Sequence, residues 1–535
     1  VRAKPRLVTI TATAVLILLL VLLLPVFLLG ILHVDLVGIA RTLHSFFLRW
    51  QGLLPHVLTL YAVLIGVIVL LENRNPDRTL AWILVLVLLP VVGLLLYLFL
   101  GPRIGKGKIH EEYAHRHPSR RRAAMEKRAT EQLRFLRSRT RLKEKLEPLP
   151  WKTMTLLLNI SKSPVTIRNH VTVLTNGNAT FQALFRDIAS AKRTVHLEYF
   201  AISNDGIGRK LKELLERKAR EGVTVRLLYD AVGSWKLGPE YVQDLRDAGV
   251  AVSPFLPVSF PVLRRRFNYR NHRKIAVLDG RVGFVGGLNI GDTYLGKNRR
   301  LGFWRDTHLR IEGEGVAQLQ TVFASDWLFC RKETIPEEEL HPESASSAAP
   351  ATLPRTFLQI VSSGPDTDWS AIFQGYFSLI TSARKRLWIT TPYFVPDGSI
   401  LMALKTAALN GVDVRLLLPS KPDHFIVYWA TRSNLDELLA SGVRVFCYTG
   451  GFVHAKIVLA DGVASVGTAN MDIRSLEINF EVQSFIYDRA ITARLEKDFL
   501  NDLGQSKELD LHRRRHRPLY ERFLESTGRL FSSQL

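Results

Sequence analysis

Cysteine is nearly absent from this chain of 535 residues, which holds only Cys330 and Cys447. Neither belongs to a CxxC pair or stands near a Cys/His cluster. That excludes a disulfide framework and suits small buried residues in a reducing compartment. Acidic residues are also scarce, 49 Asp and Glu against 72 Lys and Arg, a formal charge of +23. The balance implies an anionic partner, and nucleic acid and anionic membrane both qualify. Charge is missing altogether from residues 7–32, an apolar run long enough to span a bilayer.

Two more apolar runs follow, at about 54–71 and 80–100, with only the polar turn ENRNPDR between them. They read as a transmembrane hairpin, so residues 1–102 are expected to form a transmembrane region with helices at about 7–32, 54–71 and 80–100. Arg2, Lys4 and Arg6 give the first run a basic start. Its apolar core is longer than that of a signal peptide and no small-x-small site follows, which favours a retained anchor. Counting basic residues on the two sides gives seven against five in favour of a cytoplasmic side for the chain beyond the third run, while the basic N-terminal tail disagrees. Segment 34–53 suits an interfacial amphipathic helix or a solvated loop. Residues 103–150 read as a basic juxtamembrane helical linker. Positions 103–145 carry 15 Lys and Arg against 5 Asp and Glu, which suits anionic headgroups.

Beyond Trp151 the composition becomes globular and an internal repeat emerges. One copy starts at Ala191 and the other at Ala383. Both read strand, Tyr-Phe, Asp-Gly, amphipathic helix, Gly-Val, strand, with Tyr199-Phe200 equivalent to Tyr393-Phe394. The alternation predicts an α/β fold: two similar domains, at 151–331 and 355–510, with mixed β-sheets flanked by helices and related by a pseudo-twofold axis. The Pro-, Ser-, Ala- and Glu-rich stretch 332–354 reads as a flexible linker, and 511–535 as a basic amphipathic C-terminal helix.

Each half then carries His-x-Lys-x4-Asp: His272, Lys274 and Asp279 in the first, His454, Lys456 and Asp461 in the second. Residues two apart on a strand share a face, so each His and Lys can meet one phosphate. One such string on a strand reads as a polar face; two, on matching strand–turn–strand patterns, read as half-sites of one active site. A histidine can attack phosphorus while another moves protons, and lysines can hold the phosphate. Asn289 and Asn470, on the returning strands, can donate to phosphate oxygens. Asp279 and Asp461 complete the catalytic motifs and read mainly as architectural, because Asp-Gly begins a hairpin turn.

Asp306 follows His272 by 34 residues and Glu481 follows His454 by 27, each in what reads as the next strand of its own half. A carboxylate on the far nitrogen orients a histidine, and an ordinary strand-end salt bridge is the alternative. Tyr199, Tyr393 and His424 are candidate pocket residues beside Phe200 and Phe394. Core packing is the alternative for the aromatics, more so for the phenylalanines. No third histidine or carboxylate has metal spacing, and no metal or cofactor is expected.

The segments RNHRKIAVLDG, FVGGLNIGD, FWRDTH, PSKPDHFIVYWATRS, GGFVHAKIVLADG, VGTANMDIRSLEINFE and NRNPDRTLAW resemble those of bacterial cardiolipin synthases of the phospholipase D superfamily. The resemblance runs over nearly the whole chain from about residue 54. It implies two phospholipase D-like domains and a two-step phosphatidyl transfer without a cofactor. In that reaction His272 is the nucleophile and His454 the acid and base. The partners implied are anionic phospholipids, phosphatidylglycerol and cardiolipin, and a membrane. The implied location is the bacterial inner membrane, multi-pass, with the catalytic domains on the cytoplasmic side. No nucleic acid is expected, and a homo-oligomer stays open. The alternatives are hydrolysis, transfer to another alcohol, a nuclease and a lipid-binding protein without activity. Two departures stand out: the extra N-terminal apolar run, and a second motif one residue shorter between Asp461 and Gly467 than the first is between Asp279 and Gly286.

Overall fold

A computed structural model of the chain divides into two compact units, Val1–Ile104 and Gly105–Leu535. The residues described are 76–89, 120–138, 148–257, 268–340 and 354–532 apart from 368, with isolated positions between 60 and 97. In the first unit, Pro76–Leu88 is an apolar helix of 13 residues. Proline suits its first turn, where the missing N–H is unpaired in any case. Among the described residues no helix is long and apolar enough to cross a membrane. The expected run at 7–32, the segment 34–53, most of the run at 54–71 and part of that at 80–100 lie outside the described residues. Of the basic linker, Arg120–Ser138 and Pro148–Ile160 are helices.

The second unit is built on two sheets. The first contains β1 (Asn169–Thr175), β2 (Thr194–Tyr199), β3 (Thr224–Asp230), β4 (Ala251–Phe255), β5 (Lys274–Leu278) and β6 (Val282–Gly286). The short β7 (Trp304–Arg305) leaves it, and β8 (Thr307–Gly313) returns to it. Its order is β1-β8-β6-β5-β2-β3-β4.

The second half supplies β9 (Phe357–Ser363), β10 (Arg386–Thr390), β11 (Phe394–Val395), β12 (Asp413–Pro419), β13 (Arg444–Tyr448) and β14 (Phe452–Val453). It continues with β15 (Ile457–Ala460), β16 (Val463–Gly467), β17 (Met471–Asp472), β18 (Glu481–Tyr487) and β19 (Ser506–Glu508). Read from the other edge, its sheet runs β9-β18-β16-β15-β10-β12-β13-β19, the same topology with one added edge strand. In both sheets the βαβ strands are parallel and the motif strand is antiparallel to them. The sequence repeat is therefore a repeat of mixed sheets.

Alternation along the motif strands divides the core. Ile275 and Val277 of β5 point into an apolar layer shared with Ile457 and Leu459 of β15. Ala276 and Leu278 point the other way, into a cluster with Leu211 and Leu245 from the helices of their own half. Val458 and Ala460 do the same in the second half. A strand buried on both faces reads as a continuous apolar run, as IAVL and IVLA do. The repeated Asp-Gly starts a helix in each half. Asp205 accepts from the Gly208 N–H and Asp397 from the Ile400 N–H, capping Gly206–Arg220 and Gly398–Leu409.

The expected linker begins as packed structure. Ile335 and Leu340 are buried against Leu228, Phe323 and Trp327, and Glu339 pairs with Arg226. Its remainder, 341–353, lies outside the described residues. The C-terminal stretch forms two helices, Leu511–Arg515 and Leu519–Leu530, where one was expected. Pro518 separates them, since proline disfavours helical geometry in the residue before it.

Candidate active site

The two halves meet through short backbone pairings that position the motif histidines. β14 pairs in parallel with β7, and the His454 N–H donates to the Arg305 carbonyl at 2.7 Å. On the other side Asn271 bridges Phe480, and the His272 N–H donates to the Phe480 carbonyl at 2.9 Å. In each case the residue before a carboxylate in one half holds the backbone of the histidine in the other.

The carboxylates are thereby exchanged between halves. His272 Nδ1 lies 2.9 and 3.0 Å from the two Glu481 carboxylate oxygens. His454 Nδ1 lies 2.8 Å from Asp306 Oδ2. Sequence order placed each acid with the histidine of its own half; the pairs in fact cross. The reason is topological: β8 and β18 leave the acids at the seam between the sheets, where the opposite half is the neighbour.

Both acids are fully buried, yet the pairs differ electrically. Burial pushes Asp306 up, but His454, their hydrogen bond, Lys456 and the Thr307 N–H together draw it down to about 2. Burial prevails at Glu481, raising it to about 7 against the pull of Lys274 and the Thr468 hydroxyl, which donates to it at 2.5 Å. Burial and then Lys456 lower His454 to about 4, with Asp306 opposing. Burial, Lys274 and Lys456 hold His272 well below the ordinary imidazole range. The lysines are fully enclosed as well. Burial lowers Lys456 to about 8 and Lys274 well below its usual range, resisted by the same two carboxylates. Their ammonium groups donate to the carbonyls of their own histidines, Lys274 to His272 at 2.6 Å and Lys456 to His454 at 2.5 Å. Two imidazoles, two ammonium groups and two carboxylates thus share one electrostatic neighbourhood, as expected of an anion-handling site.

The first motif is pinned from behind by buried ionic groups. Asp230 accepts from the Asn271 N–H at 2.9 Å, and Glu198 from the Asn271 amide at 2.5 Å. Arg273 pairs with Asp326 and donates to the Glu481 carbonyl. Beside the second motif, Arg305 of the first half reaches Asp502 of the second at 2.9 Å. Gly287 must lack a side chain, because a Cβ there would collide with the Asp306 carboxylate.

The remaining candidates divide. Asp279 accepts from the N–H groups of Lys192, Arg193 and Thr194 at 2.8–2.9 Å. Asp461 accepts likewise from Arg384, Lys385 and Arg386. Both stand at the hairpin turn, at the far end of the motif strand from the histidines, so they brace backbone rather than face the site. The missing residue of the second motif belongs to this turn. Asp279, Gly280 and Arg281 make the first tip; Asp461 and Gly462 make the second, both with positive φ. The histidine and lysine keep their places.

Asn289 accepts from the Ala201 N–H and donates to the Tyr294 hydroxyl at 3.0 Å. Asn470 is buried, with no partner on its side-chain amide oxygen among the described residues. Tyr199 is a correction: strand alternation sends it into the first domain's core beside Leu197 and Leu211. Its neighbour Phe200 lies against His272 instead, with ring centroids 5.0 Å apart and the Lys274 ammonium 5.3 Å from its centroid. Phe394 is core. Tyr393 donates to Asp423, while His424 is exposed at the start of the helix Phe425–Ser433.

Sequence reasoning missed Trp304. Its ring lies 4.9 Å from that of His454 and its indole N–H donates to Asp306 at 3.3 Å. Tyr294 packs edge-on against it at 5.0 Å. The available signal was FWRDTH itself, with a tryptophan two residues before the acid. Among the described residues no group of three or more His, Cys, Asp or Glu is placed to hold a metal ion.

The chain is similar to known proteins in family and in fold. The family model described as "Cardiolipin synthase, PLD-like domain" matches residues 184–327 and 376–503. One described as "Phospholipase_D-nuclease N-terminal" matches 57–102. A cardiolipin synthase of Halalkalibacterium halodurans is 44% identical over 496 residues, 92% of this chain and 96% of that protein. Cardiolipin synthase 2 of Bacillus anthracis is 44% identical over 483 residues, 89% of this chain and 90% of that one. In fold, the crystal structure of phosphatidylserine synthase from Haemophilus influenzae matches with a TM-score of 0.55 at 16% identity, covering 72% of this chain and all of that chain.

Proposed function

The chain belongs to the cardiolipin synthase family of phospholipase D-like proteins, and from that premise we propose that it transfers a phosphatidyl group from one phosphatidylglycerol to another, giving cardiolipin and glycerol. The observation that carries the proposal is the crossed pair of histidine–carboxylate dyads enclosed with two lysines.

His272 is the nucleophile. Its imidazole is held neutral by burial and the lysines, and its Nδ1 is oriented by Glu481, leaving Nε2 to attack phosphorus. As the P–N bond forms, the bond from phosphorus to the glycerol oxygen breaks. His454 supplies the proton to the departing glycerol. It suits that role because Asp306 stays ionised beside it and stabilises an imidazolium. A bound phosphodiester brings negative charge next to Lys274 and Lys456, offsetting the lysines that depress His454 and letting it hold the proton it must give. In the second step His454 takes the proton from the headgroup hydroxyl of a second phosphatidylglycerol. That oxygen attacks phosphorus and the P–N bond breaks. Lys274 and Lys456 stabilise the charge gathering on the five-coordinate phosphorus, and Asn289 and Asn470 border the same phosphate. One phosphodiester replaces another, so no nucleotide is consumed.

We propose that the enzyme sits in the bacterial inner membrane, anchored by its N-terminal region, with the catalytic domains on the cytoplasmic side and anionic phospholipids as partners. The test is incubation of purified protein with labelled phosphatidylglycerol in vesicles and identification of products by mass. Cardiolipin with glycerol is expected; phosphatidic acid as the sole lipid product would mean hydrolysis and would overturn the proposal.

A further inference from the structure

The helix Leu519–Leu530 is mounted the wrong way round for a soluble protein. At about 100° per residue, Leu519, Phe523 and Leu530 fall on one stripe, with Tyr520 beside it. That apolar stripe is the outward one: Phe523 is 71% exposed and Leu530 81% exposed. The opposite face carries Glu525 and Gly528, and it is buried. Gly528 lets the helix close on Phe425–Ser433, since a Cβ there would collide with the backbone of Trp429 and Ala430. Glu525 is clamped by Arg514 at 3.1 Å and Arg517 at 2.8 Å, and Arg514 also pairs with Asp436. Gly528 and this ionic cluster hold the helix with its apolar side to solvent. The adjoining helix adds Phe425 and Ile426, both exposed, at the end next to Asp423. Asp423 holds Tyr393 and adds its charge to the field on Lys456, so the patch leads toward the active site.

We propose that this face is a docking surface for an anionic phospholipid bilayer, with the stripe buried at the level of the headgroups and upper acyl chains. The charge around it selects that occupant. Arg522 and Arg529 are exposed on the flank of the stripe, and Arg513 and Arg515 are exposed on the preceding helix; long basic side chains keep their charge at an anionic interface while the apolar side descends. A second copy of the chain would bring the same arginines and the same +23 to the contact and would be repelled. Docking here sets the site beside the surface from which a diacyl substrate must be drawn. The inference rests on the lipid reading of the site for its purpose, but its test needs no turnover.

The full chain, with Cys330→Ala to clear the partly exposed native thiol, carries an environment-sensitive fluorophore on Phe523→Cys or, separately, on Leu530→Cys. It is reconstituted in phosphatidylglycerol vesicles containing acyl-chain nitroxide lipid, and in phosphatidylcholine vesicles of the same nitroxide content. The expected result is a blue-shifted emission, quenched severalfold more in phosphatidylglycerol than in phosphatidylcholine, at both positions. Water-like, unquenched emission in both vesicles would overturn the proposal. So would a blue shift that rises with protein concentration and ignores the nitroxide, which would assign the face to a second copy. As a second variant, Leu519→Ser with Phe523→Ser and Leu530→Ser should slow turnover severalfold on vesicle lipid and leave it unchanged on short-chain substrate dispersed in detergent. Loss on both substrates would contradict a docking role, and absence of activity in the unmodified protein would count against the enzymatic reading alone.

Discussion

Asp306→Asn is the substitution that best separates the crossed arrangement from the one suggested by chain order. By position, Asp306 belongs to the half that carries His272. By geometry it serves His454, 2.8 Å from Nδ1. Asparagine keeps the size and removes the charge. A buried hydrogen bond to a charged group contributes roughly 1.5–3 kcal/mol, or about 10- to 150-fold in rate. Asp306 is fully buried and ionised above about pH 2, which favours the upper end. The expected loss is therefore about 100-fold in turnover and constant between pH 5 and 8. Glu481→Gln should behave differently. Glu481 titrates near 7, so glutamine imitates its protonated form. Its penalty should be small at pH 6 and grow as pH rises through 7, where only the unmodified carboxyl can ionise.

The stalled step is the sharper readout. With a phosphatidyl substrate bearing a good leaving group, which needs no proton donor, Asp306→Asn should form the phosphatidyl adduct on His272 and fail to discharge it. Glu481→Gln above pH 7 should slow formation of the adduct itself. Acid-quenched single-turnover reactions read by intact mass and peptide mapping distinguish the two. If Asp306→Asn blocked adduct formation while Glu481→Gln accumulated adduct on His272, the assignment of acids to histidines would be refuted.

Three further outcomes follow from the same geometry. Asp279→Ala and Asp461→Ala each remove three backbone hydrogen bonds at a hairpin tip; each should cost about 1–3 kcal/mol in denaturant melts while turnover per folded molecule stays near wild type, and loss of chemistry without loss of stability would place them in the reaction. Trp304→Phe keeps a ring beside His454 but deletes the N–H that Asp306 accepts; a fall of about tenfold in kcat with little change in KM is expected, and an effect on KM alone would make Trp304 a substrate contact. The buried histidines should subtract stability in acid, because burial, with Arg226 at His196 and Lys456 at His454, lowers His196 to about 3 and His308 and His454 to about 4. The unfolded chain takes up these protons near pH 6.5 and the folded chain does not, so this stability is complete above 6.5 and lost as pH falls toward 4, at most about 3 kcal/mol each for His308 and His454. Glu481, raised to about 7, and Asp472, raised to about 6, take up protons in the folded chain and oppose this slope, so the check is His308→Gln, whose melts should lose less between pH 7 and pH 5 than those of the unmodified protein; equal losses would contradict it.

The sequence by itself determined the class of chemistry and the repeat that houses it. His272 with Lys274 and His454 with Lys456 were legible because a strand puts residues two apart on one face. The Asp-Gly pairs were legible as turns and helix starts because capping and tight turns are local. What depended on the opposite half was not legible. Only the tertiary structure decided that Glu481 serves His272 and Asp306 serves His454, because that exchange is made by pairing across the seam between the sheets. It also decided that Phe200 rather than Tyr199 meets a histidine, since the strand ends between them and the direction of the next residue depends on what packs there. The last helix shows the same division. Its apolar stripe is written in Leu519, Phe523 and Leu530, but whether that stripe faces core or solvent was fixed by Arg514 and Arg517 closing on Glu525 and by Gly528 admitting the neighbouring helix. Periodicity tells which residues share a face; only the packed neighbours determine where that face looks.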